Sequence, residues 1–322
     1  MPSPTPRLIA LDLDGTLLGA DGAVGDRNLA ALLAAEAAGI TIVIATGRRH
    51  GYAMKVLRQL PLEPETVIIS SNGAVARTFC SQPLYRKHMQ PEAARWLLGH
   101  LGEFRNALVV TFDKIGPDGE DARGALVVEE LDDLHENIGR WMVANGPYIE
   151  HVRPLERCLE EGESAPIQMM LCGTVERMRR AEALMLADPR VAAVGEPHTH
   201  DPAVTIQLNR TEYPERDLSI VDILPAGCSK GDAVLRLAGE RGITSTEIMA
   251  VGDNWNDLSM LEIAGFPVLM GNAPKDLQAM ARSKGWVLAP PHDADGVAEA
   301  IQHLCGIRLD TLTGAGVAGS KR

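Results

Sequence analysis

Short apolar runs that end abruptly at polar clusters mark both ends of the chain. Leu8–Leu11 runs into Asp12-Leu13-Asp14-Gly15-Thr16, and Ile40–Ala45 into Thr46-Gly47-Arg48. Val67–Ile69 meets Ser70-Ser71-Asn72-Gly73, and Ile248–Val251 meets Gly252-Asp253-Asn254-Trp255-Asn256-Asp257. Val268–Met270 meets Gly271-Asn272-Ala273. Continuous apolar runs of this length suit strands buried on both faces, as in a parallel sheet. Helical patterns lie between them. Leu29, Leu32, Leu33 and Ala37 mark one face, ended by Gly39; Ala233, Val234, Leu237 and Ala238 mark another, ended by Gly242. Val297, Ala298, Ile301 and Leu304 mark a third, with Asp295 placed to cap it. Alternating strands and helices predict an open α/β sheet. Ligands bind such sheets beyond the carboxyl ends of the strands, and there all five polar clusters fall.

The middle of the chain reads differently. Helix-like segments at Pro91–Leu101, Asp132–Ala144 and Val175–Leu186 mix with strand-like Ala107–Phe112, Ala125–Val128, Ile167–Leu171, Val204–Leu208 and Leu218–Ile223. Stretches near 114–124 and 210–217 read as loops. The pattern predicts a parallel-sheet core over 1–86 and 226–310, interrupted by an α+β module over 87–225. Residues 311–322 read as a disordered tail. Its literal G-x-G-x-x-G, Gly314 to Gly319, has no room for the helix a dinucleotide fingerprint needs.

Composition narrows the partners. Among 322 residues, 31 Lys plus Arg stand against 43 Asp plus Glu, a net −12. That balance argues against nucleic acid and against an anionic membrane surface. No apolar run is long enough to span a bilayer, and the N-terminus lacks a secretory apolar segment. Five unpaired-looking cysteines read as reduced thiols. A cytoplasmic protein acting on a small molecule is the expectation. The sequence carries no signal for an oligomeric state.

The chemistry lies in the polar clusters. Asp12 and Asp14, two apart in an extended segment, turn both carboxylates to one side. Alone, such a pair is a solvated turn; joined by a cation, it is a site. Asp253 and Asp257, four apart at a helix start, share a face; they either complement the helix dipole or complete a ring of carboxylates around a hard cation. Oxygen-only ligands at a strand edge favour magnesium. Lys230 follows an N-cap candidate, Ser229, where the dipole disfavours a cation; a lysine aimed at an anion explains the misfit. Thr46-Gly47 precedes a helix over about 50–59, whose first amides can hold a phosphate. His198, His200 and Asp201 resemble a metal cluster in composition only. Together, carboxylates, a lysine, a hydroxyl and exposed amides suit phosphoryl transfer.

These stretches, with Ser71-Asn72-Gly73-Ala74, Ser229-Lys230-Gly231, Met270–Ala273 and Asp295–Ala298, resemble the haloacid dehalogenase (HAD) superfamily, and most closely its Cof-type phosphatases with a type IIB cap. The resemblance implies a Rossmann-like HAD core with an inserted cap. It implies a phosphatase of small phosphorylated metabolites, such as sugar or cofactor phosphates, that works through an aspartyl-phosphate. Asp12 would be the nucleophile and Asp14 the acid and then the base. Mg2+ would sit on Asp12, the Asp14 carbonyl and Asp253, with Asp257 behind them. Thr46, Lys230, Asn256 and the amides of Leu13 and Gly47 would hold the phosphate. Two departures, an insertion long for the family and Pro291-His292-Asp293-Ala294-Asp295 in place of the usual Asn-Asp run, leave substrate choice open. A phosphomutase using the same intermediate, or a non-catalytic binder of a phosphorylated metabolite, are the competing readings.

Overall fold

The computed structural model describes residues 5–116, 119–130, 138–160, 165–194 and 201–309. The first part of the chain forms β1 (Leu8–Leu11), α1 (Asp26–Ala37), β2 (Thr41–Ala45), α2 (His50–Leu57), β3 (Val67–Ser70), β4 (Val75–Thr78) and β5 (Pro83–Arg86). The middle forms α3 (Pro91–His100), β6 (Leu108–Thr111), β7 (Leu126–Val128), α4 (Gly139–Asn145), β8 (Ile149–His151), β9 (Gln168–Gly173), α5 (Val175–Leu186), β10 (Val191–Ala193), β11 (Ile206–Tyr213) and β12 (Leu218–Pro225). The last part forms α6 (Lys230–Glu240), β13 (Ile248–Gly252), α7 (Leu258–Ile263), β14 (Phe266–Met270), α8 (Lys275–Lys284), β15 (Val287–Ala289) and α9 (Gly296–Cys305).

Two sheets result. The first has the order β15-β14-β13-β1-β2-β3-β4-β5. It is parallel from β15 to β3, then antiparallel through β4 and β5. Its central strand is buried on both sides. Ile9 and Leu11 pack with Leu32 of α1 and Ile301 of α9. Leu8 and Ala10 pack with Val234 of α6, Leu261 of α7 and Leu277 of α8. Each large apolar side chain so buried contributes about 1.5–3 kcal/mol, which explains why β1 shows no alternation. The second sheet has the order β10-β11-β12-β9-β6-β7-β8. One of its faces is covered by α3 and α5, where Leu97, Met178 and Met185 meet Leu108, Leu171, Leu208 and Val221. The other face looks toward the carboxyl edge of the first sheet.

Several local expectations change. The predicted loop over 210–217 is strand as far as Tyr213, because β11 pairs with β12 along Ile206–Tyr213. Asp295 does not cap α9. Its backbone is left-handed (φ 56°) and its side chain makes no capping bond; Asn28 of α1 accepts the Ala298 N–H instead, at 2.9 Å. Ser229 caps α6 as expected, accepting the Asp232 N–H. Part of the helix expected over Asp132–Ala144 lies outside the described residues, as do His198, His200 and the segment 311–322.

Candidate active site

Register sets the site. Leu11 of β1 pairs with Val251 of β13 and with Ile44 of β2. Asp12 and Gly252 follow directly and Thr46 follows just after β2 ends at Ala45, so all three reach the same edge. Close approach needs glycine twice here. A Cβ on Gly15, whose φ is +78°, would lie 2.4 Å from Asp253 Oδ2, and one on Gly252 would lie 2.5 Å from the Asp257 Cβ.

Lys230 sits at the centre, fully buried. Its Nζ donates to Asp12 Oδ1 at 2.5 Å and to Asp257 Oδ1 at 2.7 Å. Asp257 Oδ2 accepts the N–H groups of Asp253 and Asn254 at 2.9 and 3.0 Å. Both Asp257 oxygens are thus engaged, and the residue locks the Asp253 turn to the lysine. Asp253 is held by Asn272, whose Nδ2 donates to Asp253 Oδ2 at 3.1 Å and to the Gly15 carbonyl at 2.8 Å. Thr16 donates to Asp253 Oδ1 at 3.4 Å.

Charge does not balance around this lysine. Asp12, Asp253 and Asp257 each bring an oxygen within 4.8 Å of the others, all three buried. Burial first, then repulsion from Asp257, pushes the Asp12 carboxyl up to about 7 despite Lys230. Asp253 is raised well above the carboxylate range by burial and by Asp12 and Asp257. Burial alone would lower the Lys230 ammonium, but Asp12 and Asp257 override it and raise it. Three carboxylates against one ammonium, with oxygen donors only, fit a hard divalent cation such as Mg2+.

The remaining predicted residues fall into two groups. Asp12, Asp14, Gly47, Asp253 and Asn256 line one cavity of about 330 Å³. Thr46 is buried behind it, its Oγ1 accepting the Arg48 N–H at 3.1 Å. The Leu13 side chain is in the core. Lys230 and Asp257 support the cavity wall from behind.

Residues that the sequence reading gave no role complete the cavity. Arg48 grips Asp14, and Arg49 donates to Asp121 at 2.7 Å and to Asn145 at 2.8 Å, tying the start of α2 to the β6–β7 loop and the end of α4. Thr111, Gln168, Met170, Tyr213, Ile220 and Asp222 close it from the second sheet. Arg48 stood inside a recognised motif; the second-sheet residues carried no comparable signal.

The family model described as haloacid dehalogenase-like hydrolase matches residues 9–119 and 204–301. Phosphatase YwpJ of Bacillus subtilis is 30% identical over 308 residues, covering 92% of this chain and 99% of its own. The 5-amino-6-(5-phospho-D-ribitylamino)uracil phosphatase YwtE of the same organism is 27% identical over 311 residues, covering 92% and 98%. The HMP-PP phosphatase of Klebsiella pneumoniae is 28% identical over 280 residues, covering 85% and 87%. Among solved structures, the HAD subclass IIB sugar phosphatase BT4131 superposes with a TM-score of 0.70 at 22% identity, covering 94% of this chain and all 100% of that one.

Proposed function

The chain belongs to the haloacid dehalogenase-like hydrolases, and from that premise we propose that it is a magnesium-dependent phosphatase of small phosphorylated metabolites, working through an aspartyl-phosphate on Asp12. The carrying observation is the cluster of Asp12, Asp253 and Asp257, two of them bonded to buried Lys230, beside Asp14 at one cavity. The relatives named above are phosphatases, which supports the reaction class. The segment 87–225 is the cap on this reading, and residues 1–86 and 226–310 are the catalytic core.

The residues take these parts. Lys230 occupies Asp12 Oδ1, while Asp12 Oδ2 has no protein partner among the described residues and is the attacking atom. Asp12 Oδ2 bonds to phosphorus as the bond to the leaving oxygen breaks, and Asp14 gives that oxygen its proton. Water then attacks the phosphorus of the aspartyl-phosphate. Asp14 takes the water's proton, the Asp12 carboxylate is restored, and inorganic phosphate leaves. Thr46, Gly47, Asn256 and the Leu13 amide orient the phosphate, with Lys230 fixing Asp12. Asp12, Asp253 and the Asp14 carbonyl would hold Mg2+, which supplies positive charge against the phosphate oxygens.

The test is hydrolysis of p-nitrophenyl phosphate with and without Mg2+, following released phosphate. Turnover that needs the metal and disappears in Asp12→Asn is expected. Undiminished turnover in Asp12→Asn would remove the nucleophile assignment.

A further inference from the structure

The cavity's second-sheet side mixes two kinds of lining. Two aromatic rings, Trp141 and Tyr213, and the aliphatic Met170 and Ile220 stand among polar Gln168 and Asp222. Asp222 is the unusual member. It stands on β12 opposite Asn209 of β11 and is buried, 7% exposed. Asn72, from the turn after β3, donates Nδ2–H to Asp222 Oδ2 at 2.8 Å, and the Gln168 amide donates to Oδ1. No guanidinium or ammonium pairs with it among the described residues. Burial pushes its carboxyl up to about 7, against the pull of Gln168, Asn72 and distant Lys230. A buried carboxylate without a cation costs stability that an apolar residue would not. Each of its oxygens accepts one amide bond and retains a second lone pair. Asp222 itself lines the cavity that the leaving group must fill.

We propose that Asp222 is a specificity-determining residue that accepts a hydrogen bond from an N–H or O–H donor on the leaving group, whose planar portion lies against Trp141, Met170 and Tyr213. This rests on the phosphatase reading. The substrate class is a phosphate monoester that joins a flat ring to a hydrogen-bond donor. Gln168 and Asn72 are positioning residues, since each holds one Asp222 oxygen and leaves its other lone pair for the substrate.

Four esters separate the parts. Pyridoxamine 5′-phosphate and flavin mononucleotide carry a ring and N–H or O–H donors; glucose 6-phosphate carries donors without a flat ring; p-nitrophenyl phosphate carries a flat ring without a donor. The wild type should prefer at least one heterocyclic ester over glucose 6-phosphate in kcat/KM. At pH 8, where Asp222 is ionised, Asp222→Asn should lose roughly 30-fold on that heterocyclic ester, mainly in KM, as expected for one hydrogen bond to a charged group. It should change by less than about 3-fold on p-nitrophenyl phosphate, which also reports that the variant is folded and active. An equal change on all four esters, or none, overturns the role of Asp222 while leaving the phosphatase reading intact. Preference for glucose 6-phosphate overturns the planar portion. A wild type inactive on all four esters overturns the phosphatase reading, and this inference with it.

Discussion

Arg48 holds both oxygens of Asp14, with Nε on Oδ2 at 2.7 Å and Nη2 on Oδ1 at 2.5 Å. The guanidinium also lies over the Tyr52 ring, 4.8 Å from its centroid. A carboxyl group enclosed by such a fork is not placed to give a proton to a leaving oxygen. If Asp14 is the acid, the fork must open during the reaction. An anionic phosphate ester entering the cavity competes for the same guanidinium and supplies the cause. Arg48→Ala should therefore lower kcat/KM on an alkyl phosphate by about 10–100-fold, mainly through KM, the range for losing one charge-assisted contact. Arg48→Lys should recover only part of this, because an ammonium lacks the planar fork. Steady-state kinetics on the three proteins decides it, and an Arg48→Ala enzyme with wild-type KM would refute the competition.

The uncompensated carboxylates predict a metal response in stability. Asp12 and Asp257 share one ammonium, Lys230, and Asp253 joins their cluster without a salt bridge among the described residues. Mg2+ should raise the Tm of the wild type, by mass action equivalent to about 2.7 kcal/mol once the metal exceeds its Kd a hundredfold. Asp253→Asn should raise the Tm in EDTA, by relieving repulsion, and should abolish most of the Mg2+ response. Thermal melts with EDTA and with Mg2+ test both signs. A wild-type Tm indifferent to Mg2+ would argue against the cation site.

Gly15 gives an independent route to the same site. Its φ of +78° is left-handed, and an added Cβ would fall 2.4 Å from Asp253 Oδ2. Gly15→Ala thus combines backbone strain of about 1 kcal/mol or more with displacement of Asp253. The variant should stay folded, melt below the wild type, and lose the Mg2+-dependent rise in Tm. Retention of the full Mg2+ response would mean that the carboxylate can shift without consequence.

The core was legible because its strands are buried on both faces. Leu8–Leu11 and Ile248–Val251 carry unbroken apolar runs, and each ends at the residues that form the site. The second sheet was harder to read, and β11 shows why. After Leu208 its helix-facing residues become Arg210 and Glu212, which pair with Glu182 and Arg179 of α5. Its opposite face carries Asn209, Thr211 and Tyr213, the last two lining the cavity. Polar residues on both faces erase the period-two signal, so the strand read as a loop. Asp222 was hidden in the opposite way, as one acid inside an otherwise apolar Leu218–Ile223 run. Lys230 was recognised as misfitting its helix start, but its two carboxylate partners lie 218 and 27 residues away. Only the fold brings them to it.

Lys230 should be worth more to stability than to the local helix. It bridges Asp12 and Asp257 without solvent contact. Lys230→Met leaves two buried carboxylates unpaired, a change that typically costs about 3–5 kcal/mol. Replacing Asp257 as well, in Lys230→Met/Asp257→Leu, should restore part of that loss in EDTA, because a buried charge leaves with its partner. The two substitutions should therefore be strongly non-additive. Neither variant should regain turnover, since Asp12 loses its orienting contact in both. Additive losses in denaturant melts would show that Lys230 and Asp257 do not act as a pair.

Asp222 makes stability depend on pH in a direction opposite to a salt-bridged acid. Burial raises its carboxyl from 3.8 to about 7 in the folded protein. Between those values the folded state binds a proton that the unfolded state does not, so stability falls as pH rises through this window. The effect is absent below the unfolded value and complete above about 7. This rise corresponds to at most about 4 kcal/mol, reduced by whatever water reaches the cavity. Asp222→Asn cannot ionise and escapes this loss. The variant should therefore be nearly as stable as the wild type at pH 4.5 and more stable at pH 8, with the difference growing between them. Chemical denaturation of both proteins in EDTA across pH 4.5–8 measures that difference directly. EDTA keeps the metal site constant, and the other titrating groups cancel between the two proteins. A difference that is flat with pH would mean that Asp222 stays ionised throughout, held by Asn72 and Gln168 more strongly than burial opposes it.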